Sequence, residues 1–475
     1  MPDQHWARAR SDEYQPAGAS PPRWRMAAMT LLVLINLFNY IDRYIVAAVE
    51  AQIADTFFPP DQPQEFVRTR MGLLMPAFMV SYMLVAPLFG WLGDHFSRWW
   101  LIAVGVLLWT LASGGSGLAW SYTALFITRC LVGVGEGAYG PVAPTVISDL
   151  YSVEKRGRAL SVFYAAIPVG SALGYVLGGR MLKLTGDWRW AFYAVVPPGL
   201  VLALACLFMP EPRRGQSEKT PEQTLAASSG PLPDQEGLTH PVAVPTSASR
   251  RDNASPIRWR HYLLLARIPS YAVCTLGMTA MTFAVGGIAF WMPRYLSQDR
   301  DVGSLGDVNE VFGAIIAASG LLATLVGGWL GDFAQRYLRG AYFAVSAAGM
   351  FLALPLFIAA LWLPFPLAWL FLASSCFCLF LNTGPTNAVL ANVTHPAIRS
   401  SAFAINIFVI HALGDVLSPA VIGYIADLTS LHLGFLVVAG FIALAGLLWL
   451  VGAWFLDSDT RLALSRFESW SSANR

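Results

Sequence analysis

Charge is the scarce component of this chain. Only 13% of its 475 residues are Asp, Glu, Lys or Arg, against about 25% in an average soluble domain. None at all occurs between Gly340 and Ile398. Such scarcity excludes an ordinary water-facing surface. A net charge of +2 is too small to argue for a nucleic-acid partner. Cysteine is sparse as well. Cys130, Cys206, Cys274, Cys376 and Cys378 all fall in apolar stretches, and no spacing matches a zinc or redox motif. They read as small buried hydrophobes. The chain also lacks a nucleophile–base pairing, a phosphate-binding loop and a metal-ligand cluster. An enzyme is therefore not expected, nor a cofactor or a metal site. No signal-peptide pattern precedes the first apolar run, so cleavage is not expected.

What the chain has instead is apolar length, with 56% hydrophobic residues. A helix crossing a bilayer needs about 20 mostly apolar residues. Candidates lie near 27–48, 71–93, 100–119, 123–148, 158–180 and 189–209, then near 262–292, 310–331, 341–362, 366–391, 400–426 and 433–456. The uncharged run after Gly340 is too long for one helix. It breaks at Leu363-Pro364-Phe365-Pro366, because proline removes a helical donor. The expected class is an all-α membrane protein with twelve transmembrane helices.

A repeat divides the twelve into two sets. Gly90-Trp91-Leu92-Gly93-Asp94 returns 238 residues later as Gly328-Trp329-Leu330-Gly331-Asp332, and Arg98 is matched by Arg336. Two pseudo-symmetric six-helix bundles follow, over 1–210 and 259–475. Residues 211–258 are rich in Ser, Pro, Thr and charge, and read as a linker that buries too little to fold alone. Lys and Arg concentrate in the leading segment, the 149–158 loop and this linker. That bias places both termini and the linker in the cytoplasm.

The repeated motif ends spans two and eight. Its glycines allow close helix approach. Gly90, Asp94 and Arg98, with Asp332 and Arg336, form a candidate latch that closes one conformation. The competing reading is a tight turn with charged caps. The motif resembles the loop motif of the major facilitator superfamily; its first copy departs from that pattern, with His95 and Trp99 where basic residues are common, which weakens its charge network.

Charges within the spans are not repeated. Asp42 and Arg43 lie in span one, Arg129 and Glu136 in span four, and Ala280, Met281, Leu367 and Ser374 stand at their repeat positions. Architecture alone does not need such asymmetry. Asp42 and Arg129 each sit about six residues from the outer end of their spans, roughly 9 Å deep. They are expected to pair. Glu136 lies nearly two turns beyond Arg129 on the same face, about 10 Å deeper. Arg129 is expected to exchange between the two carboxylates, which would then carry protons. A static ion pair that fixes helix packing is the alternative. Intramembrane charges cost several kcal/mol and mark ion or substrate pathways. Arg43 points about 100° from Asp42 and need not share its role. His411 and Asp415, four apart in span eleven, are a second candidate pair. Asn382 and Asn387 make span ten polar and either meet substrate or satisfy a disturbed backbone.

Asn39-Tyr40-Ile41-Asp42-Arg43-Tyr44, the Arg129–Glu136 stretch and the duplicated motif resemble the major facilitator superfamily over nearly the whole chain. Gly135-Glu136-Gly137-Ala138-Tyr139, Phe290-Trp291-Met292-Pro293 and His411-Ala412-Leu413-Gly414-Asp415 resemble more narrowly its Spinster lipid transporters. The Asn-Tyr-x-Asp-Arg and Arg-x-x-x-Gly-x-x-Glu elements are also similar to the organic-anion/proton symporters. The resemblance implies alternating access, proton linkage through Asp42, Arg129 and Glu136, and an amphiphilic substrate such as a lysophospholipid or sphingolipid. The expected partners are that small amphiphilic or anionic substrate, protons and the lipid bilayer. The expected location is a bacterial inner membrane. A small organic anion is the alternative cargo, and a non-transporting receptor or scaffold the alternative role.

Overall fold

The computed structural model describes residues 22–63, 67, 70–218 and 259–473. All regular structure there is helical. Among the described residues, eleven helices are long and apolar enough to cross a membrane. The twelfth crossing is span four, Tyr122–Tyr139 continued by Ala143–Leu150. It carries Arg129 and Glu136, and these lower its apolar average. The chain is thus an integral membrane protein of twelve spans in two bundles, as expected.

The remaining spans follow the same order. Span one is Pro22–Ala48, span two Leu74–His95, span three Arg98–Gly117 and span six Arg189–Leu207. Span five joins Arg156–Tyr164 to Ala166–Thr185. In the second bundle, span seven is Pro269–Arg294, span eight Leu305–Ala334 and span nine Ala341–Trp362. Span ten joins Leu367–Phe380 to Thr383–Val393, and span eleven joins Arg399–Ile410 to Ser418–Leu428 through a π-helical turn at His411–Asp415. The break between spans nine and ten falls at the expected prolines.

Two boundaries differ most from expectation. Span seven begins at Pro269 rather than 262, since Trp259–Arg267 winds as a 3₁₀ helix. Span twelve runs from Leu431 to Ala473, well past 456. Its extension is tied down: buried Asp459 accepts from Ser270 N at 2.8 Å and pairs with Arg466 at 2.6 Å. Residues 219–258 of the expected linker lie outside the described residues. Its first eight residues are described and run along the end of the bundles that carries the repeated motif.

Lipid tails are as apolar as leucine, so helices associate here through close packing rather than water release. Span five shows this against span one. A Cβ at Gly170 or Gly174 would lie 2.6 Å from the carbonyl oxygen of Leu37 or Ile41. In the second bundle Trp449 is fully buried over Gly277, and Phe283 stacks on Phe441 with centroids 3.9 Å apart.

The two bundles meet at the motif end. Among the described residues, every hydrogen bond between them lies from the middle of the molecule toward that end. The motif end is therefore closed.

Candidate functional site

A central cavity of about 210 Å³ lies between the bundles. The first bundle contributes a polar wall: Asn36, Asn39, Tyr40, Arg43, Glu136 and Tyr164. The second contributes Met278, Met281, Phe403, Ile407 and Ile410 from spans seven and eleven, and an amide ridge of Asn382, Asn387 and Asn406. The cavity is amphipathic in cross-section.

Arg43 and Glu136 dominate its polar wall. Arg43 Nε and Nη2 donate to Glu136 Oε2 at 2.7 and 2.6 Å. The guanidinium lies over three rings, with centroids 4.5 Å away for Tyr40, 4.7 Å for Phe78 and 5.3 Å for Tyr82. Aromatic faces stabilise a cation that has lost water. Glu136 Oε1 and Asn39 Nδ2 complete no hydrogen bond among the described residues.

Asp42 and Arg129 face each other as expected, but behind the cavity wall and at the long distance of 3.8 Å. Each is held more tightly by a serine of span three. Ser113 Oγ donates to Asp42 Oδ1, and Arg129 Nη2 donates to Ser116 Oγ at 2.7 Å. Asp42 Oδ2 has no hydrogen bond among the described residues. In this conformation Arg129 faces Asp42 alone, and Glu136 is held by Arg43 instead. The 100° separation of Asp42 and Arg43 sends the two neighbours to different partners, one inward to Arg129 and one to the cavity.

On the opposite wall His411 Nδ1 lies 2.9 Å from Asp415 Oδ2, within the π-helical turn of span eleven. The expected pair is thus formed, and the His411 ring meets Tyr82 of the first bundle edge-on at 5.8 Å. Only His411 of the pair lines the cavity. Asn382 Nδ2 donates to its own helix, to Leu379 O at 2.5 Å. Asn387 does more: its Oδ1 accepts from Tyr164 Oη at 2.9 Å across the bundle interface.

Below the cavity the repeated motif joins the bundles. Asp94 accepts from the backbone of Ser400 at 2.9 Å and Ser401 at 3.1 Å, capping the start of span eleven. Asp332 accepts from Arg158 N at 3.1 Å and Tyr342 Oη at 2.8 Å, and pairs with Arg158 Nε at 3.2 Å at the start of span five. Each carboxylate thus caps a helix of the other bundle, where the helix dipole favours negative charge. Gly90 and Gly328 face those same helices. A Cβ on Gly90 would lie 2.4 Å from Ala404 Cβ, and one on Gly328 1.9 Å from Ser161 Oγ.

The motif arginines diverge. Arg98 turns from Asp94 to Asp149 at 2.5 Å and Glu211 at 2.7 Å. Arg336 is exposed and has no ion pair with a described residue, so its place in the latch is corrected. Sequence reasoning missed Ser113, Ser116 and Tyr164, which lie in ordinary apolar runs without any spacing signal. Glu211, by contrast, sits in the charged Pro210-Glu211-Pro212-Arg213-Arg214 stretch directly after span six.

The family model described as Major Facilitator Superfamily matches residues 32–414. The chain is 34% identical over 471 residues to protein spinster homolog 1 of Rattus norvegicus, covering 92% of this chain and 82% of the relative. Among solved structures it is similar to a bacterial homolog of the human lysosomal transporter Spinster, with TM-score 0.57, 19% identity and coverage of 93% of this chain and 99% of that one. It is also similar to a proton:xylose symporter, with TM-score 0.67, 16% identity and coverage of 91% and 95%.

Proposed function

The chain belongs to the major facilitator superfamily, among its Spinster transporters, and from that premise we propose proton-linked alternating access acting on a lysophospholipid- or sphingolipid-like amphiphile. The observation that carries the reading is the Arg43–Glu136 pair on the polar wall of an amphipathic cavity. An anionic headgroup that takes Arg43 leaves Glu136 as an uncompensated carboxylate. Breaking a buried pair this way is strongly unfavourable. A proton on Glu136 removes the penalty, so headgroup and proton reinforce each other's binding. Asp42, loosely paired with Arg129, is the second carrier. The first-bundle motif end is cytoplasmic in this reading, so the closed motif end makes the conformation outward-facing. Latch contacts at Asp94 and Asp332 hold that state, and the substrate shifts it by binding the two facings unequally.

The lining supports this cargo class. Arg43 is the one Arg or Lys among the described lining residues, and five apolar side chains face it from the second bundle. A small organic anion would leave that apolar wall uncovered, whereas an amphiphile covers it. The test is uptake of a lysophospholipid into vesicles holding the purified protein, driven by a proton gradient. Asp42→Asn and Glu136→Gln should each abolish gradient-driven uptake, by tenfold or more, while lysolipid binding survives. Binding without movement under either gradient polarity would leave a receptor or scaffold as the answer.

A further inference from the structure

We infer that Glu218, eight residues into the segment after span six, is a removable clasp that holds the two bundles shut at the motif end. Its Oε1 accepts from Arg156 Nη2 and from Arg399 Nη2, both at 2.6 Å. Arg156 opens span five of the first bundle, and Arg399 opens span eleven of the second. Both are fully buried. One carboxylate oxygen therefore bridges two desolvated cations of opposite bundles.

The rest of the segment is stitched to the first bundle. Glu211 and Pro212 accept from Arg98, at 2.7 Å each. Arg214 donates to the carbonyls of Gly93 and Phe96, at 2.7 and 2.8 Å. Gly215 N donates to Asp149 Oδ1 at 2.9 Å, and Ser217 Oγ to Asp149 O at 2.5 Å. Gly215 turns the segment with φ +71°, and a Cβ there would lie 2.9 Å from Pro396 of the second bundle. A glycine suits that place for both reasons. The segment thus rides on one bundle and delivers a single charge to the other.

Charge explains why that delivery matters. Arg98, Arg156 and Arg399 face Asp149, Glu211 and Glu218. Two of those three carboxylates come from the segment. With it seated the cluster is neutral; with it lifted, three buried guanidiniums share Asp149. Like charges in a poorly hydrated site repel. Arg399–Asp149 and Arg156–Asn392 also cross the interface, at 3.0 and 2.8 Å, but their partners belong to the bundles themselves. Glu218 arrives on a chain that can leave, so its departure turns a tie into a repulsion between Arg156 and Arg399.

The inference rests on alternating access. Its test uses neither substrate nor proton gradient, so the two can fail separately. Spin labels at Phe208→Cys and Tyr337→Cys, exposed at the motif ends of opposite bundles, report the gap in the full-length protein after Cys130→Ser. Glu218→Gln should raise the fraction at long distance several-fold. Adding Arg156→Gln should bring it back toward the starting distribution, because one of the two repelling charges is gone. Gly215→Ala, which unseats the segment without touching a charge, should open the gap as Glu218→Gln does and serves if that variant folds poorly. An unchanged distribution in Glu218→Gln or in Gly215→Ala overturns the clasp. Opening that persists in Glu218→Gln/Arg156→Gln overturns the charge argument behind it.

Discussion

Glu136 and Arg43 form a pair whose value depends on what replaces it. Both sit at the cavity wall, Glu136 fully buried and Arg43 under three aromatic rings. Removing one partner leaves the other charge stranded, at a cost of about 3–5 kcal/mol. Replacing both by apolar residues of similar size is often neutral. Glu136→Leu should therefore lower the thermal unfolding midpoint of the purified protein markedly, while Arg43→Met/Glu136→Leu should recover most of the loss. Uptake should stay absent in both. Recovery of uptake along with stability would mean the pair serves packing alone. Sequence reading found all four charges of spans one and four and faced Asp42 with Arg129, but offered Glu136 to Arg129 and left Arg43 without a partner. Depth along a helix axis is legible from residue counts. Which of two adjacent side chains reaches which partner depends on helix rotation and on Ser113 and Ser116, and these are invisible before packing.

The repeated motif works as a pair of helix-to-helix contacts. Span two meets span eleven through Gly90 and Asp94, and span eight meets span five through Gly328 and Asp332. Spans five and eleven hold equivalent places in the two bundles, so one contact is made twice across the interface. Overpacking such a crossing costs about 1–3 kcal/mol. Gly90→Val or Gly328→Val should then favour separation of the bundles at the motif end, since the closed state alone suffers the clash. Labelling of a cysteine placed at Ser400 or Ser161 by a water-soluble thiol reagent should rise several-fold in the matching variant. Equal labelling with and without the valine would refute the contact's role. The duplication marked these elements as a candidate latch. Its form was not legible there: Arg98 and Arg336 share a position in the repeat, but Asp149 and Glu211 stand near only one of them.

Stability of the whole molecule should carry a pH signature from its motif-end network. His395 accepts from Ala397 N at 3.2 Å through Nδ1, which requires that nitrogen unprotonated. Burial and the nearby Arg399 push its pKa down from 6.5 to about 4. An unfolded chain then binds this proton first as pH falls, so stability declines from about pH 6.5 to about pH 4. Burial alone would raise the Glu218 carboxyl, but Arg399 and Arg156 outweigh it and hold the group below the ordinary 4.5. Its contribution is complete above that value and is lost only at lower pH, so most of the His395 window lies above the Glu218 one. His395→Asn keeps a capping acceptor without a titrating ring. It should flatten the thermal-unfolding midpoint between pH 6.5 and 4, and an unaltered slope would assign the decline to other groups.

Composition and periodicity alone determined that this chain lives in a membrane, crosses it twelve times and is built as two related halves, because a bilayer imposes length and apolarity residue by residue. They also marked Asp42, Arg129 and Glu136, since an uncompensated charge in an apolar span stands out in a linear string. Tertiary structure decided the pairings: Arg43 with Glu136, Asp94 with the start of span eleven, Glu218 between Arg156 and Arg399. Each of those joins residues far apart in the chain, and the choice among nearby charges follows from helix rotation and desolvation, which exist only once the bundles have packed.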